Sequence, residues 1–322
     1  MKNEYVMPLT IGVIAIIAIA LGAGVSEWMI KRNRFEATDL FSRDMGKPAI
    51  WIFYDTSMPT ARQYSDYQTS SSRALNLPFM NLCYESIARQ NSNNYRIEVV
   101  TGVAGIAEKL GGWTALPKKL QNPLCTLDAS DITWVRAALL AKFGGLWVAP
   151  TTICLKPFGP LPNKPVFFGT DTSESFSGTA GTEVPNFQVA WSPSPNDPFW
   201  AAWEAKSRNR MESSGGGDVA RSADKWEFLA LANMYPNIEV RPMAELGRKG
   251  AAGRRIQIED LLASGQEGDL PFEISGLAVY VALPWPELRD RTAFGWFLKM
   301  SESQIAESDL VIRDLYRMGG VF

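Results

Sequence analysis

The 322-residue sequence contains no histidine. That absence excludes Ser-His-Asp and Cys-His catalysis, a histidine general base and every zinc site that needs an imidazole. Cysteine is nearly as scarce: Cys83, Cys125 and Cys154 stand 42 and 29 residues apart, with no CxxC. Such spacing argues against a thiolate metal site or a disulfide framework and reads as three small buried hydrophobes. Charge of either sign is not in excess, with 32 basic and 34 acidic residues, so no polyanion-binding surface is expected. No Walker A and no well-placed GxGxxG occurs, which argues against a P-loop NTPase or a Rossmann dehydrogenase. Any chemistry must therefore rest on carboxylates, lysine, arginine, hydroxyls, backbone amides or a metal held by oxygen.

What is present is a folded composition, 46% hydrophobic and 20% charged, with one uncharged apolar run. VMPLTIGVIAIIAIALGAGV runs from Val6 to Val25. At about 1.5 Å per residue such a run covers about 30 Å, one bilayer core, and it exceeds the usual apolar region of a cleavable signal. A single N-terminal transmembrane helix is expected in residues 1–30, a polar neck in 31–46 and the body in 47–322. Lys31, Arg32 and Arg34 follow the run while Lys2 alone precedes it, which favours a body on the cytosolic side. The body has no Asn-x-Ser/Thr acceptor, which is compatible with that side.

Within the body, AIWIFY at 49–54 reads as a buried strand ending at Asp55, and a helix is expected around Phe79 to Arg89. Ile97, Val99 and Val100 mark a second strand closed by Gly102. Strand, helix, strand in that order points to parallel α/β units. DASDITWVRAALLAKFGG is the strongest helix, capped by Asp128 or Ser130 and ended by the glycine pair. LWVAPTTICL reads as a strand in which Pro150 forces a bulge or an end. Further strands are expected in KPVFFGTD, in NFQVAW and at Ile238 to Val240, with helices in FWAAWEA and near Lys225 to Met234.

Four of these pieces, in order, carry a resemblance: KPAIWIFYDTSMP, MNLCYESIARQNSNNYRIEVV, RAALLAKFGGLWVAPTTI and NFQVAWSPSPNDPF. Together they resemble the glycosyltransferase family 32-like group, in particular the capsular polysaccharide synthesis proteins, from Pro48 to Arg210. The third piece is the most specific, with Arg136 eight residues before Gly144. The resemblance implies a GT-A-like α/β/α sandwich with a mostly parallel sheet. It also implies transfer of a hexose or amino sugar from a nucleotide sugar to a glycan acceptor. By the same resemblance Phe53, Tyr54, Asp55, Gly144, Gly145, Trp147 and Thr151 would line the nucleotide-sugar crevice, and Asp131, Arg136 and Asp171 would be the catalytic candidates.

Two departures fall at the place that matters. After Gly-Gly-x-Trp-x the family carries an aspartate that holds Mg²⁺ or Mn²⁺, and here the position is Ala149. The family's Ser-Asp pair ends three residues before the arginine, whereas Asp131 lies five before Arg136 and Thr133 takes the expected place. A metal is thus expected only if Asp131 or Asp171 replaces the missing carboxylate. Otherwise Lys142, Lys156 or Arg136 would have to neutralise the diphosphate. Three readings stay open: a transferase without the usual ligand, a silent protein that still binds a sugar, nucleotide or protein, and a scaffold. Two further groups were weighed as binding surfaces. They are the basic cluster Arg248, Lys249, Arg254 and Arg255, and the tryptophans Trp191, Trp200, Trp203 and Trp226. Solvation explains the first more simply, and helix-to-sheet packing explains Trp200 and Trp203.

Overall fold

Six consecutive apolar residues at Ala49–Tyr54 form strand β1, buried on both faces. In the computed structural model, residues 46–55, 77–123, 125–168, 185, 187–213, 220–241, 256–265, 270, 272, 274 and 276–322 are described. The apolar run from Val6, the neck, Asp171 and the basic cluster at 248–255 lie outside them. Among the described residues, no helix is long and apolar enough to cross a membrane.

The strands after β1 are β2 (Arg96–Thr101), β3 (Gly145–Val148), β4 (Thr152–Cys154), β5 (Val166–Phe168), β6 (Val189–Ser192), β7 (Glu239–Arg241) and β8 (Tyr280–Ala282). The main sheet has the order β2-β1-β3-β6-β5-β7. β1 pairs in parallel with β2 and β3, and β5 with β7, while β6 runs antiparallel to both its neighbours. The fold is therefore mixed α/β with a mostly parallel central sheet, as expected. β4 and β8 pair antiparallel in a second, two-stranded sheet.

Alternation on β1 assigns the two faces. Ala49, Trp51 and Phe53 join a core with helices α2 (Gly102–Leu110), α3 (Ala129–Phe143), α4 (Pro198–Ser213) and α5 (Ala220–Met234). Ile50, Ile52 and Tyr54 are buried on the other face, where helix α1 (Pro78–Asn91) lies. Phe167 on β5 anchors the first core, with Phe199, Trp200, Trp203 and Phe228 rings 5.1–5.9 Å from its own. Trp200 and Trp203 stack at 5.4 Å and are fully buried, so these two pack helix against sheet.

Helix α1 starts at a proline, whose missing N–H is unneeded in the first turn. Its Ser86 hydroxyl accepts the amide of Cys154 at 2.9 Å and so ties α1 to β4. The closing elements α6 (Ile258–Leu261), α7 (Trp285–Asp290), α8 (Glu302–Glu307) and α9 (Val311–Met318) follow. Tyr316 of α9 donates its hydroxyl to the Phe79 carbonyl at 3.1 Å, and Gln90 donates to the Gly319 carbonyl at 3.0 Å. The last turn of the chain thus closes over α1.

Candidate functional site

The ends of parallel strands leave backbone groups unpaired, and a crevice at that edge is the usual place for a ligand in an open α/β sheet. Here β1 and β3 end side by side. Trp51 stands level with Trp147, the last pair of the β1–β3 ladder, and Asp55 follows the end of β1. Asp55 is 6% exposed and Thr151 is 4% exposed, so both sit at the strand ends without projecting into solvent. Between them in chain order, Pro150 interrupts the run from β3, and the chain leaves the main sheet to enter β4. Ala149 at this break donates its amide to the Gln188 carbonyl at 2.8 Å, just before β6.

Other expected crevice residues turn away from this edge. Phe53 and Trp147 stack on each other at 6.4 Å within the helix-covered core. Tyr54 faces α1, and burial, reinforced by Cys83 and Tyr84, drives its phenol pKa well above the usual value. Gly144 and Gly145 lie at the amino end of β3, opposite the crevice. Both have positive φ, +67° and +95°. A Cβ on Gly144 would stand 2.8 Å from the Ser194 carbonyl carbon, and one on Gly145 would stand 2.5 Å from the Ala49 oxygen. The pair thus admits neighbouring backbone, and the Trp51 indole seals the junction by donating to the Gly144 carbonyl at 2.8 Å.

A second set of groups comes from the start of α3. Asp128 caps this helix, accepting the amides of Ser130 and Asp131, and Asp131 returns the favour by accepting the Asp128 amide at 2.8 Å. Lys119 donates to both carboxylates, at 2.7 Å to Asp128 and 2.6 Å to Asp131. The two acids respond in opposite directions. Burial works against ionisation of Asp128, but hydrogen bonds from Lys119, Ser130 and the Asp131 amide outweigh it and hold the carboxyl at about 2. At the fully buried Asp131 burial prevails over Lys119 and raises the carboxyl pKa. The second oxygen of Asp131, Oδ1, is buried with no hydrogen-bond partner among the described residues.

Asp131, Lys119 and Asp55 all act electrostatically on the Cys125 thiol. Burial raises the Cys125 thiol first, then Asp131; Lys119 opposes, and Asp55 adds a further upward push. The structure therefore joins Asp131, of the expected residues, to Lys119, which sequence reasoning missed. Lys119 lies in the short 3-10 turn Lys118–Gln121, which carries no spacing signature, and only folding shows that it bridges two acids.

Arg136 lies deeper on the same helix, 4% exposed. It donates to the Phe187 carbonyl at 3.0 Å, and its guanidinium lies 5.1 Å from the Phe187 ring and 5.4 Å from the Trp203 ring. Lys142 is at the far end of α3, donating to the Leu110 carbonyl at 2.6 Å. Lys156 donates to the Gly276 carbonyl. Both ammonium groups are engaged with backbone, and Lys142 is placed away from the crevice.

Without Asp171, which lies outside the described residues, this donor set does not fit a divalent cation. Ala149 presents a methyl group, Asp131 Oδ2 is taken by Lys119 and a backbone amide, and a lysine ammonium 2.6 Å from that carboxylate would repel a second cation. Among the described residues, no group of three or more Cys, Asp or Glu side chains is placed to hold a metal.

No protein-family model and no curated protein matches the chain. Among solved structures, the chain is similar to the PaToxG glycosyltransferase at 13% identity and a TM-score of 0.34, over 85% of this chain and 87% of that one.

Proposed function

We propose that the chain is a glycosyltransferase-like protein whose body binds a nucleotide sugar at the carboxyl edge of β1 and β3. In this reading it belongs near the family 32-like, capsular polysaccharide synthesis group that its sequence resembles. The observation that carries the proposal is the cluster of Asp128, Asp131 and Lys119 at the start of α3, with Asp55 buried at the end of β1. Carboxylates there accept sugar and ribose hydroxyls, while the Lys119 ammonium supplies positive charge beside a departing diphosphate. The reaction is transfer of a hexose or amino sugar to a glycan acceptor. Residues 6–25 anchor the chain in a membrane, and the basic residues after them keep the body on the cytosolic side.

A second reading, a silent protein that binds the nucleotide sugar without transferring it, is favoured by Ala149. Losing the first carboxylate of a metal site removes the usual stabilisation of the leaving group.

Calorimetric titration of the full chain with UDP- and GDP-sugars, with and without Mn²⁺, tests both. Binding that is indifferent to Mn²⁺ and about tenfold weaker in Asp55→Asn supports the proposal. A strict Mn²⁺ requirement, or no binding of any nucleotide sugar, contradicts it. Turnover assayed with a glycan acceptor separates the transferase from the silent binder.

A further inference from the structure

The helix-covered side of the molecule carries a hollow distinct from the carboxyl edge. It is an open depression of about 300 Å³, the lower end of the range of small-molecule sites. Ala138 and Ala141 of α3 and Ala201 of α4 form an apolar floor where larger residues would have filled the helix crossing. Lys142, Asn196, Glu204 and Arg208 stand around it.

The charges around the hollow are largely settled among themselves. Arg208 donates Nε to Glu204 at 2.8 Å and a terminal nitrogen to the Ala115 carbonyl at 2.9 Å. Lys142 donates to the Lys109 and Leu110 carbonyls, which end α2. A helix carboxyl end and a glutamate both disfavour an anion here. Beyond these bonds, Arg208 and Lys142 retain donors, Glu204 retains a carboxylate oxygen, and the Asn196 amide offers both kinds of group. Donors and acceptors in alternation over a small apolar floor suit a neutral polyhydroxylated ring.

We propose that this hollow is a saccharide-binding site, taking one or two neutral hexose or N-acetylhexosamine units. It stands apart from the nucleotide-sugar crevice and does not depend on that reading.

The test uses the full chain in a detergent without a sugar headgroup, titrated by saturation-transfer NMR with lactose, maltose, chitobiose and inorganic phosphate. At least one disaccharide is expected to bind. Ala201→Phe, at an exposed position, should fill the hollow and weaken that binding at least tenfold, with nucleotide-sugar affinity unchanged. Lys142→Met, at an exposed residue that lines the hollow, provides a second variant should the first misfold, and it should weaken the disaccharide in the same sense. Failure of all three disaccharides to bind, binding unchanged in both variants, or phosphate binding in their place would overturn the proposal. Loss of nucleotide-sugar binding with disaccharide binding intact would strike the crevice reading alone.

Discussion

Glycine at position 145 shows how a single residue can be mistaken for part of a binding site. Its spacing before Trp147 suggests close approach of a ligand, but the group that approaches is the Ala49 oxygen, 2.5 Å from where a Cβ would stand. Gly145→Ala should therefore lower stability by about 2–4 kcal/mol, combining left-handed strain with a backbone clash. Gly112→Ala shares the positive φ, +119°, but meets nothing within 4 Å, and should cost only about 1 kcal/mol. Denaturant midpoints of the two variants check the contrast, and equal losses would refute the clash. The same limit applies to Asp131. Its chemistry was legible as a carboxylate near Arg136, but its bond to Lys119 depends on where the segment before α3 folds back, which spacing does not encode.

At the scale of elements, helix α3 was the most legible. Its cap, its apolar positions and its terminal glycines all agree, and the structure realises Asp128, of the two candidate caps, in a reciprocal box. Asp128→Ala should cost about 1 kcal/mol near neutral pH. The pH dependence has a definite sign. The folded carboxyl is depressed to about 2, so its contribution is complete above the ordinary aspartate value of 3.8 and is lost as pH falls toward about 2. The difference between wild type and Asp128→Ala should accordingly narrow across that interval, as thermal unfolding at stepped pH would show. A gap that widened on acidification would contradict the capping geometry.

Less legible was helix α2. It begins on Gly102 with no side-chain cap, directly at the end of β2, so the sequence offers a strand ending and no helix signal. LWVAPTTICL reads in sequence as one strand with a break at Pro150. The break is real, but the two halves, β3 and β4, belong to different sheets. Proline marks where pairing must stop, and nothing local says that the next pairing partner lies at Tyr280–Ala282.

For the molecule as a whole, the parallel character of the sheet was legible from alternating elements, while the reversed direction of β6 was not, because strand direction is decided by distant pairing. The closing segment was not legible at all. Val311, Ile312, Leu315 and Tyr316 are buried, and burial of such side chains contributes about 1.5–3 kcal/mol each. Together they approach the ~5–15 kcal/mol by which a domain is stable. Removing residues 311–322 should therefore yield a chain that fails to fold, seen as loss of the cooperative thermal transition. A truncated protein with an unshifted transition would show that α9 is dispensable.

The break after β3 has a consequence for synthesis. The segment bearing Thr151 is tied to the residue after β8 by the bond from the Leu283 amide to the Thr151 carbonyl at 2.9 Å. Asp55 and that bond are separated by more than 200 positions in order of translation, from Asp55 to Leu283. Contacts so distant along the chain close slowly and only once both ends exist. A nascent chain halted before β8 has Asp55 in place but Thr151 without this bond, so this strand edge is completed only once β8 has been made.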